Sequence, residues 1–91
     1  MTPLTAEQKE ALRHAVIEAL CIRHPAALTV RQLWKLAKQD LDFLFELPDV
    51  LAALELLHQL TWAKKIPDEL GATVYFRATP EAVLKVERGE I

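Results

Sequence analysis

Apolar residues recur at three- and four-residue steps in three separate stretches of the chain. Leu12, Ala15, Val16, Ala19, Leu20 and Ile22 form the first, with the spacing of one helical face. Thr5 and Gln8 precede it in capping-box order, a hydroxyl for a free N–H and an amide reaching back. A helix is therefore predicted from about Ala6 to Arg23. His24-Pro25 ends it, because proline pushes the residue before it out of the α region. Glu7, Glu10, Arg13 and Glu18 lie off the apolar face, and Ile17 and Cys21 form a minor stripe on its far side.

Ala26 to Leu28 reads as a short extended link. Thr29 and Gln32 repeat the capping-box spacing, so a second helix starts near Val30, with Val30, Leu33, Leu36 and Ala37 inward and Trp34 on the edge of the stripe. Gln39 to Glu46 fits either a loop or a further helical turn. The third helix opens at Pro48, a good first-turn residue, with Asp49 favourably placed on the helix dipole. Its buried stripe is Val50, Ala53, Leu54 and Leu57; Asp49, Ala52, Glu55 and Gln59 lie opposite, and Leu51, Leu56 and His58 flank them. The pattern then changes to two strand-like runs, Trp62 to Ile66 and Thr73 to Arg77, with Pro67 and Gly71 marking the turn between them. Thr79-Pro80-Glu81 is a cap, a first-turn proline and an acid, which predicts a short closing helix carrying Ala82, Val83 and Val86. Gly89 to Ile91 is expected to fray.

This order, three helices, a hairpin and a last helix, resembles the winged helix-turn-helix superfamily over roughly Leu12 to Glu87. The residues that carry the resemblance are Leu28-Thr29-x-x-x-Leu33 at the start of the second helix and Leu54-x-x-Leu57-x-x-x-x-Trp62 from the third helix into the hairpin. A third run, Tyr75-Phe76-Arg77-Ala78-Thr79-Pro80-Glu81-Ala82, is similar to the Tyr-x-x-Thr-x-x-Gly exit of many bacterial regulators. Thr61 stands where a glycine is common after the third helix, and Ala82 where one follows the wing. The connection between the second and third helices is longer and more apolar than the usual tight turn. The resemblance implies a mostly α fold with a small β-hairpin, and DNA binding with the third helix in the major groove and the wing near phosphates.

Composition adds limits. Ninety-one residues, 52% of them hydrophobic, make one domain with one modest core, so residues 1–91 are read as a single unit. No apolar run approaches the ~18 residues of a membrane span, and the polar Met1 to Lys9 segment lacks an apolar signal core. The single Cys21 suits a reducing compartment, so a cytoplasmic location is expected. The chain has no Ser and no Asn, which removes serine nucleophiles and one of the two side chains that pair bidentately with adenine. Without a glycine-rich phosphate loop or a nucleophile–base constellation, an enzyme is not expected. No cofactor is implied. His14, His24, His58 and Cys21 do not make a metal site, since only Cys21 and His24 have a local ligand spacing.

Charge argues against the superfamily's usual partner. The formal net charge is −2, and five acids (Asp40, Asp42, Glu46, Asp49, Glu55) with no Lys or Arg lie between Asp40 and Gln59. Carboxylates facing phosphate are repelled, and affinity for DNA comes mainly from Lys and Arg. The candidate phosphate contacts lie elsewhere, at Arg31, Lys35 and Lys38 on the second helix and Lys64, Lys65 and Arg77 on the wing. Ile17, Cys21, Phe43, Phe45, Leu51 and Leu56 are read as exceeding what a small core needs, and such surplus marks interaction surfaces. Sequence alone therefore favours a non-catalytic module acting through protein contacts, with a homodimer as the expected assembly. The alternative is a DNA-binding transcriptional regulator that holds phosphates through the second helix and the wing.

Overall fold

The computed structural model describes residues 3–91. Its elements are α1 (Ala6–Ile22), β1 (Leu28–Thr29), α2 (Val30–Asp40), α3 (Leu47–Gln59), β2 (Ala63–Pro67), β3 (Val74–Ala78) and α4 (Pro80–Glu87). Local capping chemistry sets most helix starts. Gln8 N–H donates to Thr5 Oγ1 at 3.1 Å and Thr5 N–H to Gln8 Oε1 at 3.0 Å. Thr29 and Gln32 repeat the exchange at 3.2 and 2.9 Å. Each pair satisfies two backbone donors that a helix start leaves free. α3 begins at Leu47, one residue before the predicted Pro48, and Asp49 reaches back to accept from Glu46 N–H at 2.9 Å. At α4, Thr79 Oγ1 accepts from Ala82 N–H at 3.3 Å and donates to the Thr61 carbonyl at 2.9 Å, which ties the wing exit to the end of α3.

The Leu28–Thr29 link is a strand. It pairs antiparallel with β3, Leu28 opposite Phe76 and Thr29 opposite Tyr75, so the hairpin becomes a three-stranded sheet in the order β1-β3-β2. The hairpin strands run one residue later than predicted, with Lys64 opposite Arg77 and Lys65 opposite Phe76.

Helix α1 packs against α2, α3, α4 and β3. Its buried arc is accordingly wider than one stripe: Leu12, Ala15, Val16, Ile17, Ala19 and Leu20 are all inside, spanning about 200° at 100° per residue. Ile17, expected on an outer stripe, is fully buried, whereas Ile22, expected inside, is 76% exposed at the last turn. On α2, Leu33 and Ala37 are buried, and on α3 the predicted Val50, Ala53, Leu54 and Leu57 are the buried four.

The Gln39–Glu46 question resolves as one more helical residue pair and then a loop from Leu41. That loop folds back on the core. Phe45 is buried, and Phe43, half-buried, packs on it with ring centroids 5.9 Å apart. Trp34 Nε1–H donates to the Phe45 carbonyl at 3.1 Å, which holds the loop against α2. The C-terminal residues do not fray. Gly89 takes φ +72, the left-handed conformation that ends many helices at a glycine, Glu90 N–H donates to the Lys85 carbonyl at 2.8 Å, and the Ile91 carbonyl meets His14 Nε2 at 3.0 Å.

Candidate nucleic-acid interface

Helix α3 packs against both α2 and β2, so the cations of those two neighbours decide what its outer face can meet. On α2, Arg31, Lys35 and Lys38 are exposed and follow one another at steps of four and three, which puts them on one stripe. Lys38 Nζ lies 4.3 Å from the centroid of the Trp34 ring, a cation–π contact that steadies a long side chain. Arg31 lines a shallow depression with Leu47 at the start of α3 and Thr73 and Val74 at the turn end of the wing. It therefore bridges all three elements.

On the wing, alternation separates the cations. Lys64 and Arg77 are direct cross-strand partners and share one face of the sheet. Two like charges directly opposite destabilise a strand pair, and a phosphate between them relieves that repulsion. Lys65 points to the other face, where its Nζ pairs with Glu55 Oε1 of α3 at 3.2 Å, both side chains about two-fifths exposed. An ion pair this exposed adds little stability; its effect here is on the local charge. Lys65 is thus engaged within the domain, and the remaining five cations form no ion pair among the described residues.

The outer stripe of α3 is Pro48, Ala52, Glu55 and Gln59, spaced four, three and four apart, with Leu51 beside it at 43% exposure. Two of the acids that argued against DNA are already occupied: Asp49 caps α3 and Glu55 is held by Lys65. Lys9 and Arg13 of α1 line a small cavity with Asp49 and Ala52, so positive charge also lies beside this edge of α3. Nothing local in the sequence signals that proximity, because it is created by the α1–α3 packing.

The candidate protein-contact residues separate as well. Ile17 and Phe45 belong to the core and cannot meet a partner; Phe43 and Cys21 are half-buried against it; Leu56 is half-buried on α3, and Leu51 is exposed. Burial first, then the nearby Glu18 and Glu87, push the Cys21 thiol above its ordinary value, which disfavours the thiolate. His24 Nδ1 and His58 Nδ1 each lie 3.2 Å from a carbonyl, those of Ala78 and Ala63. No group of three or more His, Cys, Asp or Glu among the described residues is arranged to hold a metal ion, and no helix there is long and apolar enough to cross a membrane.

No family model and no curated protein matches the chain. Three solved structures do. ZitR of Lactococcus lactis superimposes with a TM-score of 0.63 at 15% identity, over 99% of this chain and 57% of that one. MepR of a multidrug-resistant S. aureus clinical isolate gives 0.60 at 21% identity, over 93% and 54%. A transcriptional regulator from Clostridium thermocellum gives 0.65 at 19% identity, over 97% and 89%. The chain thus spans little more than half the length of the first two. At such identities the likeness is one of fold, and with the element order and sheet pairing described above it gives this chain a winged helix-turn-helix fold.

Proposed function

We propose that the domain binds duplex DNA as part of a transcriptional regulator, with α3 in the major groove and phosphates held by Arg31, Lys35 and Lys38 of α2 and by Lys64 and Arg77 of the wing. The observation that carries this is the Lys64–Arg77 cross-strand pair, an arrangement that costs stability in the free protein and is relieved by an anion. Sharing a fold with a transcriptional regulator supports the reading, since winged helices dock in this way. Sequence alone favoured protein contact because of the surplus apolar residues and the acidic third helix. That objection weakens once Asp49 and Glu55 are seen to be occupied.

The test is a fluorescence-anisotropy titration of a random duplex. Five phosphate contacts give a log K against log salt slope of about −4.5, so binding should fall by about 10²–10³ between 50 and 200 mM salt. At physiological salt the dissociation constant should be about 10⁻⁵ M or weaker, with a preferred sequence at least about 10³ tighter. Binding that does not change with salt would contradict the proposal.

A second reading, self-association, keeps one observation. Leu56, half-buried, and Leu60, 45% exposed, line one groove with Trp62 and Ile91, an apolar surface that a second copy would cover. Sedimentation velocity over a hundredfold concentration range should show a concentration-dependent dimer. A monomer of 10.3 kDa at every concentration would exclude it.

A further inference from the structure

The outer face of α3 is chemically one-sided, and this bears on which sequences it can read. We infer that α3 recognises A·T-rich DNA through thymine methyl groups and makes no contact with guanine, an inference that rests on the DNA-binding reading above. In the major groove guanine offers only acceptors, N7 and O6, and is read by donors, usually Arg or Lys. The helix LPDVLAALELLHQ contains neither.

The remaining polar groups on α3 do not replace them. His58 Nδ1 faces the Ala63 carbonyl at 3.2 Å, so that nitrogen is the donor, and in the matching neutral tautomer Nε2 is an acceptor. Asp49 caps the helix. Glu55, at the centre of the outer stripe, is an acceptor held by Lys65; its oxygens suit the amino groups of adenine or cytosine and repel the guanine edge. Gln59 has the amide that pairs with adenine N6 and N7. It lies in the last turn, away from the N-terminal residues that usually reach bases.

The N-terminal half of the outer face, where those bases would be met, is apolar: Pro48, Leu51 and Ala52, all exposed. Such side chains have one specific partner in the major groove, the C5 methyl of thymine. Leu51 is the largest of the three and the residue assigned to that contact.

The experiment begins with enrichment of binding sequences from a randomised duplex pool. The enriched duplex is then remade with deoxyuridine for thymidine, which removes only the methyl, or with 7-deazaguanine for guanine, which removes only N7. Deoxyuridine should weaken binding about fourfold for each contacted methyl, and 7-deazaguanine should change it less than twofold. Leu51→Ala, at an exposed position where alanine suits a helix, should erase most of the deoxyuridine effect while circular dichroism stays unchanged. A tenfold loss with 7-deazaguanine, or a deoxyuridine effect undiminished in Leu51→Ala, would overturn the inference and leave DNA binding standing. If no sequence is enriched and no salt-dependent binding is found, DNA binding itself fails, and this inference fails with it.

Discussion

Phe76→Ala should destabilise the domain by about 3–5 kcal/mol. Phe76 is the largest of the fully buried side chains. It sits on β3, the middle strand, opposite Leu28 of β1 on one side and Lys65 of β2 on the other. Its ring therefore lies at the point where both strand pairs meet the helical layer, and neighbours held by ladder hydrogen bonds cannot collapse into the space it leaves. A domain this small has about 5–14 kcal/mol of total stability, so the variant should be close to unfolding at room temperature. Leu33→Ala and Leu57→Ala, equally buried between helices, should cost about 2–5 kcal/mol each. Phe43→Ala, half-buried in the loop, should cost clearly less than Phe76→Ala. Urea melts followed by circular dichroism give all four values. A loss below 1 kcal/mol for Phe76→Ala would show that β3 is not central to the core.

What the sequence revealed and what it hid follow from how far apart the interacting residues lie. Thr5 with Gln8, Thr29 with Gln32, and Thr79 before Pro80 are contacts within three residues, and every one forms in the structure. The α3 stripe was legible because the residues it buries against α1, α2 and β2 fall within one arc of about 100°, so periodicity alone selects Val50, Ala53, Leu54 and Leu57. Helix α1 is enclosed by four elements, and periodicity cannot show how many neighbours a helix has; Ile17 was misplaced for that reason. Strand β1 has two residues and exists only through pairing with Tyr75 and Phe76, far along the chain. Phe45 is buried where the loop folds back and Trp34 donates to its carbonyl, a contact across eleven residues that periodicity does not show.

For the candidate interface, the sequence supplied the residue types but not which of them pair with one another. Counting acids between Asp40 and Gln59 treats each as free. Lys65 reaches Glu55 only because the strand register turns it toward α3, and the same register brings Lys64 opposite Arg77. A one-residue slip would exchange their faces, and the strand-like runs in the sequence do not set the pairing between them.

Replacing Arg31, Lys35 and Arg77 together by alanine should flatten the salt dependence of DNA binding, changing the slope of log K against log salt by about 2.7. Each residue stands for one of the places where a phosphate can be met. Arg31 lies where α2, α3 and the wing converge, Lys35 continues its stripe by one helical turn, and Arg77 shares a sheet face with Lys64. No ion pair involves any of them among the described residues, so their removal should cost the fold little. The loss should be uniform across sequences, because phosphate contacts carry no base information. A change in net charge alone would also weaken binding, and a matched control separates the two effects. Arg23, Lys85 and Arg88 carry the same total charge at the end of α1 and on α4, and α4 packs against α1. Their triple alanine variant should leave the slope nearly unchanged. Equal slopes for the two triple variants would mean that DNA is held by overall charge, with no defined face, and would remove α2 and the wing from the interface.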